Sequence, residues 1–217
     1  EELEIVKKLV IKQDNKKYFH KTKDGKFNTI HDIQNFYLKG YLVKLTKNKK
    51  LTNFVKKILT KNIKLRNLEF FLKPAKTGMQ SPFHQDNYYW NIKKAKAVNS
   101  WIALSKTSAK NGGVCYLSGS HKIGTIDHEM SYMKGSSQKI PNSIIKKLKF
   151  KKFFPKLNTG DCVIHHPEVI HGSNKNNSKF ERMGVVISYI DKNAKLDLKK
   201  LNLYKKKLKK SLKKLYN

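Results

Sequence analysis

The alternation of apolar and polar positions divides this chain into short strands flanked by helices. The clearest helical signal lies over residues 51–59, where Leu51, Phe54, Val55, Ile58 and Leu59 recur at the spacing of one helix face. Residues 1–40 show no strong period. Residues 41–45 (YLVKL), entered through Gly40, read as a short strand. Residues 68–72 (LEFFL) read as another that stops before Pro74, and a loop is expected over 74–82. Strands then follow quickly: 98–104 (VNSWIAL), 113–117 (GVCYL), 161–165 (DCVIH) and 183–190 (MGVVISYI), with Gly-containing turns ahead of the second and third. Short strands between turn residues predict a β-sandwich or barrel. Residues 119–158 interrupt the pattern with loop and a short helix near 141–150, and an insertion of that length is a candidate lid.

From Asp191 onward the pattern changes. Leu201, Tyr204, Leu208, Leu212 and Leu215 fall on one helical face, and most of what surrounds them is Lys. The expectation is one domain over residues 1–190 and a C-terminal helix over 191–217 that packs its apolar stripe on that domain. A membrane-surface or partner helix is the alternative. The length of 217 residues suits one domain with a full core.

Composition changes this picture little. The net charge is +33, yet Arg66 and Arg182 are the only arginines among 48 basic residues. Proteins that read bases lean on Arg, whose planar fork matches guanine. The lysines here are spread over the whole chain, alongside much Asn and Ile, as in the product of an AT-rich coding sequence. A small-molecule ligand is therefore expected rather than nucleic acid. A polyanion-binding module remains the rival reading from another class. No apolar run is long enough to span a membrane, and EELEIVKKLVIKQD lacks the apolar core of a signal peptide. The sequence opens without Met, which suggests a trimmed N-terminus. Cys115 and Cys162 belong to no disulfide or zinc pattern and read as small buried hydrophobes in a reduced, cytoplasmic setting. The oligomeric state is not legible.

The chemistry begins at His84-Gln85-Asp86. On a strand, residues i and i+2 share a face, so an imidazole and a carboxylate converge. A second His from another strand would complete a set of two His and one carboxylate, which holds Fe(II) on one face and leaves positions open. The segment GDCVIHHPEVIHGS offers His165, His166 and His171. His171 is preferred because Ser173 follows on the same extended face and Arg182 lies one polar loop further on. That loop, NKNNSKFE, reads as a hairpin that returns Arg182 beside the His171 strand. An Arg fork would bind the distal carboxylate of a 2-oxo acid chelating the iron, and Lys cannot imitate it. An ordinary ion pair with Glu181 is the alternative for Arg182. For Arg66, an acidic substrate is weighed against a brace at a strand end, and the brace is preferred. His165 and His166 are placed near the site without a metal role. His20, His31 and His128 have no partner that the sequence identifies.

These linked motifs, SPFHQDNYYW, then SWIALSKTSAKNGGVCYLSGSHKIG, then GDCVIHHPEVIHGSNKNNSKFERMGVVISYI, resemble the phytanoyl-CoA dioxygenase family over residues 35 to 190. The resemblance implies a mainly β, double-stranded β-helix (jelly-roll, cupin-like) fold with flanking helices. It implies an Fe(II)- and 2-oxoglutarate-dependent dioxygenase that uses O2 and releases succinate and CO2. His84, Asp86 and His171 would be the iron ligands, with Arg182 and Ser173 on the distal carboxylate and Trp101 lining the cosubstrate pocket. Gln85 matches the residue between the first two ligands and is expected to face the substrate. Asn87, Tyr88 and His121, the last in the Gly119-Ser120-His121 turn, are further candidates to line the substrate, and Tyr89 and Trp90, which follow directly, are expected either to wall its pocket or to pack. Related halogenases lack the carboxylate, so Asp86 favours hydroxylation or a similar oxidation; the expected substrate is a small molecule, with an anionic or acyl one as a candidate. A metal-binding jelly roll without oxygenase activity is the second rival.

Overall fold

The computed structural model describes residues 19–21, 27–35, 37, 39–133 and 136–216. The N-terminal stretch examined above for a signal peptide lies outside them. In chain order the strands are β1 (Phe19–Lys21), β2 (Phe27–Ile30), β3 (Ile63–Lys73), β4 (Ser81–His84), β5 (Ala97–Ala103), β6 (Val114–Leu117), β7 (Glu129–Met133), β8 (Ser136–Lys139), β9 (Lys152–Phe153), β10 (Cys162–His165), β11 (His171–Ser173) and β12 (Arg182–Asp191). The α-helices are α1 (Tyr41–Leu45), α2 (Lys49–Ile58), α3 (Asp86–Trp90), α4 (Asn142–Lys147) and α5 (Leu198–Tyr216). One sheet runs β1-β2-β3-β12-β5-β10 and a second runs β4-β11-β6-β9, while β7 and β8 form a separate hairpin. Every pairing is antiparallel. This is the two-sheet architecture expected of a jelly roll.

β12 lies between β3 and β5, and its alternation sets the two faces of the larger sheet. Val185, Ile187 and Tyr189 pack with Leu68, Phe70 and Val98 under Leu42 and Val55 of the helical layer. Burial of each such aliphatic side chain contributes roughly 1.5–3 kcal/mol. The opposite residues, Arg182, Val186 and Ser188, turn toward the second sheet, where Trp101, Ala103 and Val186 form a smaller cluster.

Several elements differ from expectation. Residues 41–45 form α1 rather than a strand: Lys44 N–H donates to the carbonyl of Gly40, and Thr46 closes the turn. Five residues are too few for helical and strand periods to be told apart. α2 is capped by Asn48, whose side chain accepts from Leu51 N–H at 3.0 Å. Its buried stripe is narrower than the pattern suggests, since Val55 is buried while Phe54 and Ile58 are exposed. The expected loop at 74–82 gives way to β4 at Ser81. Within 119–158 the hairpin of β7 and β8 and the short β9 accompany the expected helix, α4. Cys115 is buried as read, but Cys162 is exposed. Tyr204 of α5 meets the rings of Tyr88 and Tyr89 edge-on at 5.8 and 6.1 Å. The side chains of Leu212 and Leu215 lie outside the described residues. No helix among the described residues is long and apolar enough to cross a membrane.

Gly184 shows how closely β12 meets the cavity. A Cβ placed there would lie 2.2 Å from Cζ2 of Trp101. Replacing Gly184 with Ala should destabilise the protein by about 2 kcal/mol, because the indole must move or the strands must part. Urea unfolding measures it, and an unchanged midpoint would show that Trp101 is free to shift.

Candidate metal centre

The β4–β11 pairing sets His84 directly opposite His171. Their rings are 4.4 Å apart. The close approach needs Gly172, where a Cβ would stand 2.9 Å from the carbonyl oxygen of Ser81. Gln85 continues the extended backbone, and Asp86 opens α3. Asp86 is thus not on a strand, but a single extended residue between it and His84 suffices to bring both side chains to one point. Oδ1 of Asp86 is 3.7 Å from Nε2 of His84, and Oδ2 is 3.7 Å from Nε2 of His171. The three ligand atoms lie within 4.8 Å of one another, close enough to share one ion.

The local chemistry prepares these atoms for a metal. Nδ1 of His84 donates to the Pro82 carbonyl at 2.8 Å, and Nδ1 of His171 donates to that of Val169 at 2.9 Å. Each imidazole therefore keeps its proton on Nδ1 and turns a lone pair on Nε2 inward. Burial, reinforced by His171, lowers His84 to about 4 against the pull of Asp86. Burial likewise lowers His171. Burial by itself would raise Asp86, but His171, His165 and His84 hold its carboxyl well below the usual range. At neutral pH this leaves two neutral nitrogens and one carboxylate, the donor set suited to Fe(II). Asn99 Nδ2 donates to Oδ2 of Asp86 at 2.5 Å, and the Ser188 hydroxyl donates to Asn99 Oδ1. His165 also reaches this group, with Nε2 3.5 Å from Oδ2 of Asp86.

The triad opens into a cavity of about 470 Å³ between the sheets. Ser173, Trp101 and Arg182 line it as well. The route that brings Arg182 there is not the expected hairpin. β11 pairs with β4 and β6, whereas β12 pairs with β3 and β5, so the intervening loop crosses from one sheet to the other. Asn176 anchors that crossing through the carbonyls of Lys73 and Phe180. Arg182 Nη2 donates to the Gly112 carbonyl at 3.1 Å, and its guanidinium lies 5.4 Å from the Trp101 ring. Nε of Arg182 is buried without a partner among the described residues. Burial lowers Arg182 to about 10, which leaves it charged at neutral pH. Glu181, the alternative partner, is exposed, and no carboxylate pairs with Arg182 among the described residues. Lys73 stands opposite Arg182 in the β3–β12 register, with its buried Nζ donating to the Asn174 carbonyl; burial, reinforced by Arg182, holds this amine well below its ordinary value.

The four residues expected to line the substrate lie elsewhere. Gln85 is fully buried and turned away from the cavity, bonding to the carbonyls of Gly124 and Glu168 and to Ile126 N–H. Alternation explains it: if His84 and Asp86 face inward, Gln85 between them faces outward. Asn87 ties Ile92 to Thr125. Tyr88 stacks on His128 at 4.1 Å. His121 is exposed beside His166. Tyr89 and Trp90, the other aromatics weighed as pocket walls, do reach the cavity, as do His31, Arg66 and Glu69. Two histidines that the sequence left without partners have them. His128 Nε2 accepts from Gln85 N–H at 2.9 Å, and Nδ1 of His31 lies 2.6 Å from Glu69 Oε1.

Comparison with known proteins follows the same lines. The family model for phytanoyl-CoA dioxygenase matches residues 4–184. A probable alpha-ketoglutarate-dependent hypophosphite dioxygenase of Stutzerimonas stutzeri is 26% identical over 185 residues, covering 82% of this chain and 64% of that protein. The peroxisomal phytanoyl-CoA dioxygenase of Homo sapiens is 26% identical over 161 residues, covering 72% of this chain and 48% of that one. The chain thus spans about half to just under two thirds of the length of these relatives. Among solved structures, EctD from S. alaskensis with 2-oxoglutarate and 5-hydroxyectoine superposes with a TM-score of 0.72 at 15% identity, over 90% of this chain and 68% of that one. The carbocyclase SnoK from nogalamycin biosynthesis gives 0.70 at 15% identity, over 89% and 75%. These two likenesses establish the shared fold.

The His31–Glu69 contact gives a pH signature. Burial alone would lower His31, but Glu69 outweighs it and raises the imidazole above 6.5. Its stabilisation is therefore fully present below the unfolded value and lost as pH rises through the folded one. Wild type should exceed E69Q in stability by about 1 kcal/mol at pH 6, and the gap should shrink by pH 9. Urea unfolding at both pH values measures it, and a gap independent of pH would remove the charged pair.

Proposed function

The chain belongs to the phytanoyl-CoA dioxygenase family, and from that premise we propose that it is an Fe(II)- and 2-oxoglutarate-dependent dioxygenase that hydroxylates a small molecule. One observation carries the reading. A charged guanidinium, Arg182, is buried without a carboxylate partner among the described residues, in the same cavity as a His-Asp-His cluster. A buried unpaired charge is costly, so a site that keeps one is built for a ligand of the opposite sign. A dicarboxylate that meets a metal at one end and Arg182 at the other fits both demands.

His84, Asp86 and His171 would hold the iron. Bound Fe(II) supplies O2 activation, with one oxygen atom passing to the substrate and the other to succinate as 2-oxoglutarate loses CO2. Arg182 and Ser173 would hold the distal carboxylate. The Trp101 ring lies near the guanidinium, 5.4 Å from centroid to Cζ. Tyr116, whose hydroxyl is buried without a partner, offers a further donor in the cavity. Asn99 occupies one oxygen of Asp86 and so presents the other to the metal. The carboxylate at position 86 fills the place that a halide would need, which favours hydroxylation. Residues 1–190 form the catalytic domain in this reading, with α5 resting on it through Tyr204. Two cysteines without a disulfide suit a reducing, cytoplasmic compartment.

The test is an anaerobic titration with Fe(II) and then 2-oxoglutarate, followed by visible absorption. A weak charge-transfer band should appear only when both are present and be absent in H171A. Iron retained without a band would leave a metal-binding jelly roll, and no iron binding would remove the triad. R182K should weaken 2-oxoglutarate by at least about tenfold, roughly 1.4 kcal/mol, while metal affinity is unchanged. Unchanged 2-oxoglutarate affinity would take the distal carboxylate away from Arg182.

A further inference from the structure

Arg66 reaches the cavity through an irregularity in β3. Opposite β12, Asn67 pairs with Ser188 and Leu65 pairs with Tyr189, so Arg66 is an extra residue in a β-bulge. The faces of the strand follow from it. Leu68, Phe70 and Leu72 point into the apolar core with Leu65 and Ile63 on the far side of the bulge, while Asn67, Glu69 and Phe71 line the cavity. Without the extra residue, the spacing from Leu65 to Leu68 could not keep both on one face. The bulge therefore turns Arg66 to the cavity side beside Asn67 and spares the apolar layer a guanidinium.

The side chain is held there in a ready conformation. Its guanidinium lies over the Trp90 ring at 4.3 Å, and Nη1 donates to Asn67 Oδ1 at 3.2 Å. Stacking on an aromatic face leaves the edge of the fork open to an acceptor in its plane. No carboxylate lies within ion-pair distance of it among the described residues. Two acids share this part of the cavity, but Glu69 is taken up by His31 at 2.6 Å, and Asp32 accepts from Gln34. The strand-end brace that the sequence favoured for Arg66 has no ion pair to support it.

Resting on the dioxygenase reading above, we propose that Arg66 is the specificity-determining residue for the substrate, which carries a small oxyanion group, a carboxylate or a phosphate, that the open edge of its guanidinium binds. The two arginines then divide the cavity: Arg182 takes the cosubstrate and Arg66 the substrate. The row from Asn67 through Ser188 to Asn99 links the bulge to Asp86, so an anion seated on Arg66 holds the rest of its molecule toward the metal ligands.

A chain with only two arginines allows a direct test. The protein is loaded with Zn(II) and 2-oxoglutarate, which occupy the metal centre and Arg182 without turnover. It is then treated with phenylglyoxal at fixed ionic strength, and peptide mass mapping follows each arginine separately. Butyrate and inorganic phosphate are the anionic probes, and butyramide is the neutral control. Either anion should slow labelling of Arg66 by about threefold or more while butyramide does not, as a fork engaged in two hydrogen bonds is withdrawn from the reagent. Protection by butyrate alone or by phosphate alone names the head group. Equal labelling with all three probes overturns the proposal, and so does an Arg66 that the reagent cannot reach in the folded protein. The cosubstrate reading has its own readout in the same experiment: Arg182 should be protected by 2-oxoglutarate whichever probe is present.

Discussion

A carboxylate and a guanidinium are buried between the two sheets and are not paired with each other. Asp86 and Arg182 both lie in the cavity, and their surroundings differ. Asn99 and the facing imidazoles stabilise the carboxylate, while among the described residues the guanidinium donates to one backbone carbonyl and lies near the Trp101 ring. A direct pair would be easier to bury. Keeping the charges apart leaves one to hold a cation and the other an anion, and a ligand that bridges them neutralises both. The stability forgone in the free protein is thus a source of affinity for such a ligand.

The scaffold tolerates this because the larger sheet separates its tasks by face. Along β12, Val185, Ile187 and Tyr189 secure the sheet to the helical layer, while Arg182, Gly184, Val186 and Ser188 form the wall of the cavity. Strand alternation lets one element carry a core and a site with no compromise between them. Gly184 marks where the two meet, since the backbone there must leave room for the indole that supports Arg182. Across the cavity Gly172 has the same function for β4, bringing His84 opposite His171.

Much of the centre was legible in the sequence because it depends on short-range spacing. His84 and Asp86 need one extended residue between them, and His171 and Ser173 likewise. The Ser173 and Arg182 that follow His171 distinguished it from His165 and His166, and the family resemblance implies the same choice. Long-range pairing was not legible. NKNNSKFE has the composition of a hairpin loop, and nothing local says that it leaves one sheet for the other. Gln85 differs for another reason: the resemblance implies a substrate-facing residue, whereas the alternation that turns His84 and Asp86 inward requires it to face out. His31 and Glu69 meet across 38 positions, a separation at which one sequence carries no pairing signal.

Composition conceals some residues and exposes others. Lys73 is buried beside Arg182 yet is one of 46 lysines, so nothing in the sequence sets it apart. Arg is the reverse case. A chain that meets nearly every demand for positive charge with Lys keeps Arg at two positions, and both line the cavity. Surface solubility cannot account for that choice, since lysine serves it as well. What lysine cannot supply is a planar fork that stacks on an indole and still presents parallel donors. Arg66 on Trp90 and Arg182 near Trp101 are both in that arrangement, one reaching the cavity through a bulge and the other at the head of a strand. The chemistry of the guanidinium, rather than its charge, accounts for both.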